Sequence, residues 1–99
     1  MIVVTGVIEI AEGDAEAAKA AALEMAAETQ AEKGCIEYEF WQALDAPGRL
    51  HVYEEWESLA ALDAHGKSAH MARFREALGK LNVISRDVRR MEAGPPTPL

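Results

Sequence analysis

The 99-residue chain is predicted to fold as one α+β domain of β-α-β-β-α-β order, a four-stranded antiparallel sheet with its helices on one face. Three observations predict it. Four segments rich in β-branched or aromatic residues alternate with two helical stretches, the middle two are separated only by turn residues, and a chain this short has room for one core.

Ile2 to Ile10 is β-branched and stops at Glu12-Gly13-Asp14, a turn that also offers an N-cap. Its apolar residues fall in both phases, Ile2, Val4, Ile8 and Ile10 on one side and Val3, Val7 and Ala11 on the other, as in a strand covered on both faces. From Ala15 to about Glu32 strong helix formers dominate, and Ala15, Ala18, Ala22, Met25, Ala26 and Thr29 recur at helical spacing. Such a small-residue stripe lets a helix lie close to a sheet, while Glu16, Lys19, Glu28 and Gln30 face water. Lys33-Gly34 ends the helix, with Gly34 suited to the left-handed C′ position.

The second strand, Cys35 to Ala43, is expected to carry Ile36, Tyr38 and Phe40 on one face and Cys35, Glu37, Glu39 and Trp41 on the other. Asp45-Ala46-Pro47-Gly48 reads as a turn, after which Leu50, Val52, Glu54 and Trp56 alternate with Arg49, His51, Tyr53 and Glu55 in a third strand. Ser58 can cap a short helix carrying Leu59 and Leu62. Gly66-Lys67-Ser68 breaks it, and Ser68 caps a second piece in which Met71, Phe74, Leu78 and Leu81 form an amphipathic stripe. Val83 to Met91 supplies an Arg-rich last strand. The folded unit is thus residues 1–93, and residues 94–99, Gly94-Pro95-Pro96-Thr97-Pro98-Leu99, form an extended Pro-rich tail.

Ten basic against 17 acidic residues give a formal charge of −7, which repels phosphate backbones and anionic lipid, so neither nucleic acid nor a membrane is an expected partner. The first apolar stretch is too short to span a bilayer and lacks a basic flank, and the chain is expected to be soluble and cytoplasmic. The lone Cys35 cannot close an internal disulfide, in keeping with a reducing compartment. With both helical regions on one side, the other face of the sheet is expected to be bare and apolar, and a homodimer through sheet faces would cover it. The alternative is a half-polar face, since Glu9, Glu37, Glu39 and Glu55 fall on it or near it.

Aromatic and titratable residues concentrate in the middle of the chain: Tyr38, Phe40, Tyr53, Trp56, His65, His70, Met71 and Phe74. In a helix-on-sheet layer they can line one mostly apolar recess with a few polar groups, the usual build of a small-molecule site. Met71 and Phe74 are also at core spacing. His65 and His70 are five residues apart, about 500° of helix, so a continuous helix would not place them on one face and a zinc pair at i, i+4 is excluded. The break between them can bring both rings to one recess, where imidazole serves as base or donor; otherwise each interacts with a helix end. With His51 the histidines are three, without a nearby Cys or carboxylate pattern, and no metal is expected. Cys35 has no Cys-x-x-Cys or Cys-His-Asn company and reads as a buried, inert thiol. No phosphate-binding glycine pattern and no serine elbow is present.

Taken together, Gly34-Cys35-Ile36-Glu37-Tyr38-Glu39-Phe40, Tyr53-Glu54-Glu55-Trp56-Glu57-Ser58, Ala61-Leu62-Asp63-Ala64-His65 and Ser68-Ala69-His70 resemble the antibiotic biosynthesis monooxygenase family. The resemblance runs to about Met91. It implies a dimeric α/β barrel of ferredoxin-like domains, a pocket between sheet and helices, and oxygenation without a bound metal, flavin or other cofactor. A quinol or polycyclic phenol that has lost a proton can itself pass an electron to O₂, so the protein need only bind it, promote deprotonation and exclude water. On this resemblance His65 or His70 is the base, Trp56 matches the family's tryptophan after the third strand, and Tyr38 and Tyr53 orient the phenolate. Phe40, Met71 and Phe74 complete the small aromatic substrate's pocket. Positions where haem-degrading relatives carry Asn, Trp and His hold Gly6, His65 and Arg75, and Val52 stands where polyketide-oxidising relatives carry Asn. What remains resembles the quinol-oxidising members. Two other functions fit the same pocket: isomerase-like proton transfer on a small carbonyl compound, and non-catalytic ligand binding by a dimer.

Overall fold

Each expected element is present in the computed structural model, which describes all 99 residues. In chain order they are β1 (Ile2–Ile10), a 3-10 turn (Glu12–Asp14), α1 (Ala15–Thr29), β2 (Cys35–Ala43), β3 (Ala46–Trp56), α2 (Leu59–Gly66), α3 (Ala69–Gly79) and β4 (Val83–Glu92). The sheet runs β2-β3-β1-β4 with every neighbour antiparallel. That order, with the helices on one face, is the ferredoxin-like split β-α-β arrangement.

The small-residue stripe of α1 is buried along its whole length, through Ala15, Ala18, Ala22, Met25, Ala26 and Thr29. Met25 and Ala26 pack on Ile2, Val4, Tyr38, Val52 and Trp56, while Ala18 sits among Ile8, Ile10 and Leu50. Asp14 holds the N-cap position without capping; its carboxylate accepts instead from the Asn82 backbone N–H at 2.8 Å, tying the start of α1 to the entry of β4. Ser58 and Ser68 accept from the Ala61 and Met71 N–H groups and cap α2 and α3.

Four local expectations are corrected. Helix α1 ends at Thr29, so Gly34, at φ 85°, is not its C′ residue but turns the chain into β2, where a Cβ would lie 2.5 Å from that of Ala61. The hairpin turn is Leu44-Asp45, not Asp45 to Gly48. Pro47 and Gly48 belong to β3 because β1 pairs with β3 only from Arg49 onward, and the register shifts there, between the Gln42–Leu50 and Ala43–Ala46 pairs; the Gln42 side chain donates to the Pro47 carbonyl. A second irregularity, between the Cys35–Trp56 and Glu37–Glu55 pairs, turns Cys35 toward the core and leaves Ile36 52% exposed, parting it from Tyr38 and Phe40.

The open face of the sheet is the fourth correction. Val3 is already buried within one protomer, and Val7, Tyr53, Trp41 and Met91 are interleaved with Glu9, Glu37, Glu39, Glu55, Asp87 and Arg89. The outward phases of all four strands supply those charges, so the face is half polar and not a continuous apolar surface. The chain ends meet at one corner, where Met1 and Ala93 exchange two backbone bonds of 2.9 Å. Residues 93–99 hold no helix or strand. No helix is long and apolar enough to cross a membrane.

Candidate active site

Where α1 lies flat on the sheet, α2 and α3 stand away from it. No residue of α3 is fully buried, because its sheet-facing stripe is made of the long side chains Met71, Phe74 and Leu78. Between these helices and β1, β3 and β4 lies a cleft of about 650 Å³ bordered by Val4, Glu54, Leu62, His65, Met71 and Val88. An adjoining hollow of about 330 Å³ shares Glu54, Met71 and Val88 with it and adds Tyr38, Phe40, Val52 and Phe74. The volumes are those of small-molecule sites.

His65 is the polar centre of this region. The break between α2 and α3 does what the spacing required and brings its ring to 5.8 Å from that of His70. Trp56 lies 4.8 Å away and Tyr38 5.5 Å, both centroid to centroid. Glu32, in the turn after α1, joins the pair: its Oε2 is 2.6 Å from His65 Nδ1 and 2.9 Å from His70 Nε2. A carboxylate oxygen can only accept, so both of those ring nitrogens donate. The neutral His65 ring then presents a bare Nε2, which is buried and has no partner. Burial pushes His65 below the ordinary imidazole range, against the pull of Glu32, so near neutrality the ring is uncharged.

Glu54 is the second proton-carrying group. Its carboxyl is buried on the helix side of β3, accepts from Trp56 Nε1–H at 2.8 Å, and is pushed up to about 7 by burial, with Trp56 and Arg86 pulling the other way. Burial also holds the Tyr38 hydroxyl far above the usual phenol range, so it stays a neutral donor. The Cys35 thiol, half-buried against the core cluster that holds Trp56, is pushed up to about 11 mainly by burial.

The structure thus gathers Tyr38, Phe40, His65, Met71 and Phe74 along the two adjoining cavities, while the fully buried Trp56 and His70, which borders a separate small hollow, pack around His65 behind them. It does not gather Tyr53. That residue is on the outward phase of β3, where its hydroxyl donates to Glu55 at 2.6 Å and is pushed up to about 12 by that bond. His51 shares the same face, 2.9 Å from the Thr5 hydroxyl. Glu32 and Glu54 were missed from sequence. Glu54 did carry a signal, an acid on the buried phase of an alternating strand; Glu32 carried none.

Glu32, His65 and His70 are also the residues that could hold a cation, their ligand atoms lying within 4.8 Å of one another. The two contacts to Glu32 Oε2, 2.6 and 2.9 Å, are hydrogen-bond lengths. Donors bound tetrahedrally to zinc stand about 3.3 Å apart. In this arrangement the carboxylate holds two protonated ring nitrogens.

Comparison with known proteins decides the family. The profile described as "Antibiotic biosynthesis monooxygenase" matches residues 1–77. The chain belongs to this family. Rv0793 of Mycobacterium tuberculosis, named as a candidate monooxygenase, is 38% identical over 69 residues, which are 69% of this chain and 67% of that protein. Its solved structure superposes with a TM-score of 0.84 at 27% identity, over 99% of this chain and 100% of the other. The crystal structure of a candidate antibiotic biosynthesis monooxygenase from Deinococcus radiodurans gives a TM-score of 0.92 at 25% identity, covering 100% of this chain and 98% of that one. Within the antibiotic biosynthesis monooxygenase fold, Gly6 of this chain is sterically determined: a Cβ there would lie 2.1 Å from the Asp87 carbonyl oxygen, so β4 approaches β1 where any other residue would push it off.

Proposed function

We propose that the chain is a cofactor-independent monooxygenase that oxidises a quinol or polycyclic phenol with O₂ in the cleft between the sheet and α2–α3. The observation that carries this reading is His65: buried, neutral, fixed by Glu32 through Nδ1, and left with an unpartnered Nε2 beside Trp56. A substrate hydroxyl placed at that nitrogen loses its proton to it, and the resulting phenolate is the electron donor to O₂. For an anthrone, the ring methylene gives up two hydrogens and gains one oxygen atom as a carbonyl; the second oxygen atom leaves as water, and all four electrons come from the substrate. Glu32 is a positioning residue, because it sets the tautomer without reaching the recess through a free atom. Phe40, Met71 and Phe74 supply the apolar walls that exclude water, Trp56 backs His65 from the core, and Tyr38 offers a neutral hydroxyl. Pairing of two copies through the open sheet face is part of the proposal, with Trp41 and Met91, 60% and 48% exposed, as its apolar contacts.

Oxygen consumption with a panel of hydroquinones and anthrones tests it. His65→Ala, His70→Ala together should lower the rate by about a hundredfold. Glu32→Gln should lower kcat and shift the acid limb of its pH profile, since an amide can also donate to the ring and no longer selects one tautomer. Uptake at the spontaneous rate, or a double variant as fast as the parent, would sink the reading. One observation favours a second activity: Glu54, near pKa 7, offers a second proton carrier on the same cleft, as isomerisation of a small carbonyl compound requires. Turnover that persists in the absence of O₂ would select that activity.

A further inference from the structure

We propose that the substrate of this cleft carries a carboxylate, bound by Arg86 and Arg90 of β4 with Lys67 at the break between α2 and α3. The inference rests on the reading above only in taking the rest of the ligand to be a phenol. Across the whole chain acids outnumber bases, 17 to 10. In the lining of the 650 Å³ cleft the ratio is reversed: Lys67, Arg86 and Arg90 face two carboxylates, Glu54 and Asp63, while Arg89 borders the cleft with its side chain on the opposite face of the sheet. Half-protonation of Glu54 near neutrality widens the excess.

Of these four cations only Arg89 is ion-paired. Arg49, Arg73, Lys80 and Arg89 are each ion-paired to an Asp or Glu of this chain. Lys67, Arg86 and Arg90 enter no ion pair, and neither do Lys19, Lys33 and Arg75, so half of the chain's unpaired cations border this one cleft. On the cleft side the acid beside Arg86 is the half-protonated Glu54, with which it forms no ion pair, and a guanidinium so placed can bind a carboxylate-bearing ligand through two parallel N–H···O bonds.

Strand geometry puts them in register for it. Arg86, Val88 and Arg90 pair with Ile8, Gly6 and Val4 and share the helix-facing phase of β4, so the two arginine Cα atoms are about 13 Å apart with Val88 between them. Aromatic rings lying on Val4, Val88 and Met71 would have a cation at either end of the strip and His65 on the far wall. A carboxylate next to the phenol would anchor at the strand while the hydroxyl turns toward His65.

Calorimetric titration with 1-hydroxy-2-naphthoate and with 1-naphthol separates the contribution of the carboxylate from that of the rings. The naphthoate should bind about tenfold tighter at low salt. High salt should shrink that preference and leave naphthol binding unchanged, a readout that needs no variant. Arg86→Gln with Arg90→Gln should erase the preference while naphthol affinity stays within about twofold. Equal affinities for the two probes in the parent protein would overturn the inference, as would inorganic phosphate binding as tightly as the naphthoate, which would mark a general anion site. A naphthoate preference that stands while no phenol consumes oxygen would remove the oxygenation reading and support this one.

Discussion

One sheet carries two kinds of helix packing. Under α1 the contact residues are alanines with Met25 and Thr29, Ala18 is 0% exposed, and the recess beside it, against β2, is only about 120 Å³. Under α3 the contact residues are Met71, Phe74 and Leu78, none fully buried, and both cavities of the candidate site lie there. The difference teaches that side-chain length along a stripe sets how far a helix stands from a sheet. The closed half supplies rigidity, and the open half supplies room.

Three measurements would break or sharpen this contrast. The largest effect is expected from Ala18→Leu, which forces a bulky side chain among Ile8, Ile10 and Leu50 and should cost about 3 kcal/mol in urea unfolding. If it costs less than trimming α3, the closed half is not tightly packed. Next is Glu54→Gln. Its folded pKa of about 7 stands above the ordinary 4.5, so the folded state binds the extra proton; that stability is full below pH 4.5 and is lost as pH rises through 7. The amide should therefore stabilise the protein by about 2 kcal/mol at pH 8 and by nothing measurable at pH 4. His65 has the opposite slope, because its lowered pKa removes stability as pH falls below 6.5. Smallest is Leu78→Ala, which enlarges an existing hollow and should cost only about 1 kcal/mol.

The α1 stripe was legible residue by residue because helical period alone selects it. The two serine caps and the break between α2 and α3 were equally plain, each marked by residues whose local chemistry leaves few other uses. Register was not. The irregularity that turns Cys35 inward and Ile36 outward depends on pairing with β3, and nothing within Cys35-Ile36-Glu37 encodes it. Asp45 to Gly48 misled by composition, since Pro47 sits in a strand where β1 has no bond to offer it. At the site, His65, His70 and Trp56 stood out by residue type. Glu32 did not, because its partners are 33 and 38 residues away and an acid after a helix reads as solvated surface. Tyr53 was grouped with the recess by proximity in sequence, although its own alternation with Val52 and Glu54 assigned it to the other face.

The single thiol at the start of β2 makes the chain its own opening gauge. A pKa near 11 in place of 9.0 leaves about a hundredfold less thiolate than an unstructured cysteine would have. Alkylation by iodoacetamide at neutral pH would therefore proceed chiefly through moments when the β2 edge lifts from Trp56. A pulse-labelling time course, with and without a phenol in the cleft, would count those excursions and report how far an occupied pocket quiets the strand beside it.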